Sequence, residues 1–229
     1  YLNILCDIII LYFNTKIIKG IYKMKTIYFV TATNTDIGKT KACEVFLKKF
    51  AKDGKKVGYF KPCETGVEDL PLDGDSMLKL VKQLNSNFNV TIDDVVPYQF
   101  KLPAAPYVAN DKNINIDINF LIEKIKNILE LCDVLVIEGA GGLMVPIKKD
   151  YFIIDLIKDF QDYFPNQETI LITPSKLGCI NDTLLSQNML KQRNIQYKWY
   201  INLYKDKDAF VKTTLPFYED YFKDKLLYL

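Results

Sequence analysis

The chain has 229 residues, 49% hydrophobic and 25% charged, and its 30 basic and 28 acidic side chains leave a formal charge of +2. That length can bury one substantial core, and so small a charge excludes a global field that would recruit nucleic acid or an anionic membrane. Histidine is absent, which excludes a Ser-His-Asp triad, H-E-x-x-H zinc chemistry and imidazole acid–base catalysis together. Chemistry is left to Lys, Asp, Glu, Thr, backbone amides and a hard metal.

Residues 1–23 differ from the rest. Their apolar run, Ile8 to Phe13, falls short of the about 20 residues that span a bilayer. Asp7 precedes the run while Lys16 and Lys19 follow it, the reverse of a signal peptide. Met24 then opens MKTIYFVTA, so the domain is expected over 24–229. Residues 1–23 are expected to be an upstream, non-native or disordered extension, the alternative being an amphipathic appendage. Cys6, Cys43, Cys63, Cys132 and Cys179 contain no C-x-x-C pair, which argues against a zinc knuckle or a disulfide framework and for a reducing cytoplasm.

From Met24 onward, short apolar runs alternate with segments of helical period. Strands are predicted at 26–32, 56–62, 133–140, 168–175 and 197–204; the first, third and fourth are nearly continuous apolar runs, as in strands buried on both faces. Helical faces are predicted from Ala42, Val45, Phe46 and Phe50, then Leu121, Ile125, Ile128 and Leu129, then Leu184, Leu185, Met189 and Leu190. The Asn-rich pieces at 85–94 and around 110–116 are expected to be loops or strand edges. The expected fold is a single α/β domain: a mostly parallel central sheet flanked by helices on both faces, like that of P-loop nucleotide hydrolases.

The loop after the first strand, ATNTDIGKTKA, lies where open parallel sheets bind phosphate. The strict motif G-x-x-x-x-G-K-[ST] requires glycine at Thr33 and fails there. Its second half is intact: Gly38 permits close backbone approach, Lys39 is spaced to reach the β and γ phosphates, and Thr40 can offer a hydroxyl to Mg²⁺. The plain alternative is a βα turn with Asn34 or Asp36 as a helix cap. Glu138 ends an apolar strand and is followed by Gly139, Ala140, Gly141 and Gly142, a pattern suited to an acid beside Mg²⁺ and to close backbone approach. Asp75 opens a helix as either an N-cap or a metal ligand. Lys61, in FKPCETG, is either solvated or a second cation over a transferring phosphate.

TATNTDIGKT, KPCETG, GDS, EGAGG, SKLGCIND and INL occur in that order, and together they resemble the dethiobiotin synthetase family, over about 24–216. The resemblance implies ATP-dependent carboxylation and ring closure of 7,8-diaminononanoate with CO₂. The product is dethiobiotin, with ADP and phosphate released, and Mg²⁺ assists. It implies that Asp36, Ile37, Gly38, Lys39, Thr40 and Lys41 surround the phosphates with Glu138 and Gly141, and that Asn202 contacts the base. Thr40, Asp75 and Glu138 would hold Mg²⁺. Thr35, Lys61, Thr65 and Gly141 would face the diamine or its carbamate, with Lys39, Lys61 and Thr35 in catalytic roles. The substrate carboxylate would lie on amides of Gly178, Cys179, Ile180 and Asn181, across a homodimer interface.

Two positions depart from the family pattern: Ala32 replaces its usual first glycine and Asn34 its usual aspartate. Alanine suffices unless that backbone needs φ > 0. The chain also ends soon after TTLPFYED, short of a segment that often completes the base pocket. Partition and septum-site ATPases are the rival reading, but they carry a further lysine early in the loop, where this chain has Thr33, Asn34, Thr35 and Asp36. Cobalamin amide ligases need a glutaminase domain with a histidine. A non-catalytic nucleotide-binding protein is the last alternative.

Overall fold

The computed structural model describes residues 25–204, 207–223 and 226–229; the extension expected at 1–23 lies outside the described residues. In chain order the elements are β1 (Thr26–Ala32), α1 (Lys39–Lys52), β2 (Val57–Phe60), β3 (Cys63–Thr65), α2 (Leu72–Leu84), α3 (Ile92–Val95), β4 (Tyr98–Phe100), α4 (Pro106–Ala109) and α5 (Ile118–Leu129). There follow β5 (Val134–Gly142), β6 (Pro146–Lys148), β7 (Tyr151–Phe152), α6 (Ile153–Tyr163), β8 (Gln167–Pro174), α7 (Cys179–Gln192), β9 (Tyr197–Asn202), α8 (Lys207–Thr213), α9 (Leu215–Tyr221) and β10 (Leu227–Tyr228).

Six strands form one sheet in the order β10-β9-β8-β1-β5-β2, and every neighbouring pair is parallel. β1 therefore lies between β5 and β8, where the connections diverge to the two sides and ligands of open α/β sheets bind. Successive residues of a strand face opposite ways. Tyr28 stacks on Phe50 of α1 at 4.8 Å between ring centroids, whereas Phe29 meets Phe160 of α6 at 6.2 Å. Helices thus cover both faces, and Phe29, Val30, Leu135, Val136, Ile137 and Leu171 are fully buried.

The five predicted strands are present, and β5 runs on through Gly142. It does so because Gly142 pairs with Ala32 across a register shift at such close range that a Cβ on Gly142 would stand 2.7 Å from the Thr33 carbonyl oxygen.

The helix faces follow the expected pattern unevenly. α5 buries Leu121, Ile125, Ile128 and Leu129 as its period predicts. On α1 the buried face is centred on Cys43 and Leu47, leaving Val45 exposed. On α7 the expected stripe holds at Leu190 and, partly buried, at Met189, but not at Leu185. The helix buries Cys179, Thr183, Gln187 and Leu190, and Leu185 is 58% exposed. The cause is tertiary: the Tyr218 hydroxyl of α9 donates to Thr183 Oγ1 at 2.9 Å, so the polar face enters the interior with its hydrogen bonding met. Around Tyr218 a second core gathers Cys179, Ile201 and Phe210, with Trp199 and Phe222 packed against it.

The two Asn-rich pieces, expected to be loops or strand edges, differ from each other. The first contains a short helix, α3, opened by a capping box between Thr91 and Asp94. Its Asn85 is buried, donating through Nδ2 to the carbonyls of Val57 (2.9 Å) and Leu131 (3.0 Å). The second, around 110–116, is loop.

Candidate nucleotide and metal site

The loop between β1 and α1 closes on Gly38, the N-cap of α1, at φ 94°. A Cβ there would lie 2.4 Å from Asn202 Nδ2, because Asn202 reaches in from the end of β9 and donates to the Ile37 carbonyl at 2.9 Å. Glycine is thus favoured by the positive φ, and any Cβ would also displace the Asn202 amide from the Ile37 carbonyl. Asp36 also adopts positive φ, at 60°, a conformation aspartate tolerates better than most residues. Thr35 is exposed at the loop's crest and its N–H donates to Asn34 Oδ1 at 2.8 Å.

Lys39 is buried, and its ammonium donates to the Asn34 carbonyl at 3.0 Å, spanning the loop. Burial lowers its pKa below the usual lysine range, with the Glu138 charge partly opposing. Lys41 points away along the outer face of α1, where it pairs with Glu44 at 2.9 Å.

Beneath the loop, side chains from β2, α1 and β5 converge on Glu138, which is 1% exposed. Its Oε1 accepts from Thr40 Oγ1 at 2.9 Å and from Lys61 Nζ at 3.1 Å. Its Oε2 accepts from the Tyr59 hydroxyl at 2.8 Å. Lys61 also donates to Asp73 at 2.5 Å and lies 3.7 Å from Glu64. Burial works against its charge, yet Glu138, Asp73 and Glu64 outweigh burial and hold the ammonium above the usual lysine range. Lys61 is therefore a charged group inside the site, which removes the solvated-lysine alternative.

The acid of α2 that meets Lys61 is Asp73. Asp75, whose side chain is less exposed than that of Asp73, accepts from Lys79 at 2.6 Å, and the N-cap position belongs to Pro71. Residues two apart on a helix project in nearly opposite directions, so only one of the pair can face Lys61. The Glu64 carboxylate accepts the N–H of Asp73 and of Gly74, each at 3.0 Å, and so caps α2 from a separate strand. Burial raises the Glu64 pKa, with Lys61 and those two amides opposing.

Thr65 ends β3, followed by Gly66 at φ 77°. Gly141 has φ 65°, and a Cβ on it would meet Val145 Cγ2 at 2.6 Å. Gly178 is the N-cap of α7 at φ 91°. Cys179 turns inward: its N–H donates to the Lys176 carbonyl at 3.1 Å and its thiol is buried beside Thr214 and Tyr218. Ile180 and Asn181 follow in the first turn, whose amides lack partners within the helix. Sequence reasoning passed over Tyr59, Glu64 and Asp73. Tyr59 read as an ordinary strand residue; the available signal was a glutamate in the short stretch CET at 63–65, directly after Lys61 and Pro62.

Among the described residues no cluster of three or more His, Cys, Asp or Glu is arranged to hold a metal. What is present is a hydroxyl and carboxylates, all hard oxygen donors, with Thr40 already in hydrogen-bond contact with Glu138. That donor set fits a hard cation such as Mg²⁺ bound jointly with nucleotide phosphates.

A parallel sheet whose first strand feeds a G-K-T loop into a helix, with a buried acid on the adjacent strand, defines a P-loop nucleotide-binding protein. A family model described as an AAA domain matches residues 26–202. An ATP-dependent dethiobiotin synthetase of Sulfurovum sp. is 47% identical over 195 residues, covering 85% of this chain and 90% of the relative. One of Wolinella succinogenes is 32% identical over 194 residues, covering 84% and 88%. The chain belongs to the ATP-dependent dethiobiotin synthetase family, enzymes of the ligase class. The MinC:MinD cell division complex of Aquifex aeolicus matches with a TM-score of 0.52 at 18% identity, over 88% of this chain and 79% of that one, a likeness of fold alone.

Proposed function

We propose that the chain closes the ureido ring of dethiobiotin in biotin synthesis, from 7,8-diaminononanoate, CO₂ and ATP. The observation that carries this reading is the meeting of Thr40, Lys61 and Glu138 beneath the phosphate loop. One substrate amine adds to CO₂ and loses a proton, giving a carbamate. The carbamate oxygen attacks the γ-phosphorus and ADP leaves. The second amine then attacks the carbonyl of the mixed anhydride, loses its proton and expels phosphate. No protein nucleophile is needed; positioning and charge neutralisation suffice.

Thr40, Asp75 and Glu138 would hold Mg²⁺, Asp75 by leaving Lys79, and the cation neutralises charge on the transferring phosphate. Lys39 leaves the Asn34 carbonyl for the phosphates, and Lys61 follows the negative charge as it moves to the carbamate and anhydride. Thr35 and Thr65 face the diamine, and Gly141 lets substrate and nucleotide approach the backbone. Asp36, Ile37 and Gly38 shape the loop; Lys41 joins the phosphates only by leaving Glu44. Asn202 braces the loop and offers its remaining amide hydrogen to the base. The first-turn amides at Ile180 and Asn181, opened by Gly178, suit the substrate carboxylate. Leu177 and Leu185, 80% and 58% exposed, flank that helix end and support a homodimer closing there. Among the described residues no helix is long and apolar enough to cross a membrane. The free buried thiols Cys43, Cys63, Cys132 and Cys179 support a cytoplasmic location.

The test is phosphate release with Mg-ATP and bicarbonate, with and without 7,8-diaminononanoate. Release that depends on the diamine is expected. Diamine-independent release would favour a switch ATPase, and nucleotide binding without release a non-catalytic protein.

A further inference from the structure

Glu138 divides its two oxygens between different tasks. Oε1 meets the Thr40 hydroxyl and the Lys61 ammonium, the groups that would face metal and phosphate, while Oε2 meets the Tyr59 hydroxyl at 2.8 Å. The strands dictate this division. Tyr59 on β2 pairs in register with Val136 on β5, and Glu138, two residues on, projects from the same face as Val136. Tyr59 is fully buried and Glu138 1% exposed, so the contact lies away from bulk solvent.

A glutamate carboxylate turns freely about its last torsion. Without the phenol, Thr40 and Lys61 could be shared out between the two equivalent oxygens, with the weakly donating Cys43 thiol the remaining contact, and the carboxylate plane would be held less firmly. Resting on the metal site proposed above, we infer that Tyr59 is a positioning residue: its hydroxyl fixes Glu138 through Oε2 so that Oε1 is presented beside the Thr40 hydroxyl, where the divalent cation of the Mg-nucleotide would bind. Partners that orient a ligand in this way set metal affinity without touching the metal.

The experiment is Tyr59→Phe in the full chain, a change that keeps the ring and removes only the donor. ADP affinity is measured by calorimetry with Mg²⁺ and with a chelator, and turnover is followed as Mg²⁺ is raised. Expected are a loss of about 10-fold or more in Mg²⁺-supported affinity, an unchanged chelator value, and turnover that recovers as Mg²⁺ rises. An unchanged Mg²⁺ response would overturn the role. So would equal loss of both affinities, with or without loss of folded protein, since Tyr59 would then be scaffold. Thr40→Ala separates the two readings: if it too leaves the Mg²⁺ response unchanged, the metal site itself is misplaced.

Discussion

Ala32 and Gly38 stand at the two ends of the phosphate loop under opposite constraints. Ala32 is fully buried in β1, in register with Ile172, and its φ is negative: among the described residues the non-glycines at positive φ are Asp36, Asn113, Asp150 and Asn194. The family's usual glycine is therefore dispensable at this position. Ala32→Gly is expected to lower stability by about 0.5–1 kcal/mol through added backbone freedom, with turnover retained; denaturant midpoints measure the first and phosphate release the second. Gly38→Ala is expected to do the reverse, because φ of 94° strains a side chain and a Cβ would push Asn202 Nδ2 off the Ile37 carbonyl. Nucleotide binding should be lost while the sheet still folds, and retained binding would show that the loop relaxes around the new methyl. Asn34 is also accounted for. Its Oδ1 accepts the Thr35 N–H, a contact an aspartate would make equally well.

At the scale of elements, local sequence decides where helices occur and long-range partners decide how they are turned. α2 forms from a period of Met77, Leu78 and Val81, but its start is capped by Glu64 on another strand, where Asp73 meets Lys61. α3 is held at its start by Asp94, which accepts from the Thr91 N–H and hydroxyl and from Lys124 of α5. The Lys124 hydrogen bond, then those of Thr91, depress the Asp94 pKa to about 2 from 3.8. With the folded pKa lowered, this stabilisation is complete above about pH 4 and is lost as pH falls toward about 2. Asp94→Ala should therefore cost roughly 0.5–1 kcal/mol at neutral pH, as a lost cap and a largely solvated ion pair do. The gap to wild type should close across that acid window. Urea unfolding at several pH values tests this; a gap independent of pH would show that the charge contributes nothing.

For the whole molecule, two cores are stacked along one sheet, and they account for the state of the cysteines. Cys43 and Cys132 lie in the main core and Cys179 in the C-terminal one. Burial raises the Cys63 and Cys132 thiols to about 12. A thiol reagent at mildly alkaline pH should therefore leave Cys43, Cys63, Cys132 and Cys179 unmodified in the native protein. All five cysteines of the chain should react after denaturation. Rapid native labelling of any of the four would reveal local opening of its core. The C-terminal core builds structure beside Asn202: Phe210 and Tyr218 are buried against Ile201. By itself the sequence determined the alternation of strands and helices, the place of the phosphate loop, and the ordered motifs that carry Lys39, Lys61 and Glu138, because each depends on residues close in the chain. Only the tertiary structure decided that Asp73 faces Lys61, that α7 buries its polar side, and that Tyr59 and Thr40 share Glu138 from 79 and 98 residues away. Those contacts depend on how helices are turned and strands registered, which no local period encodes.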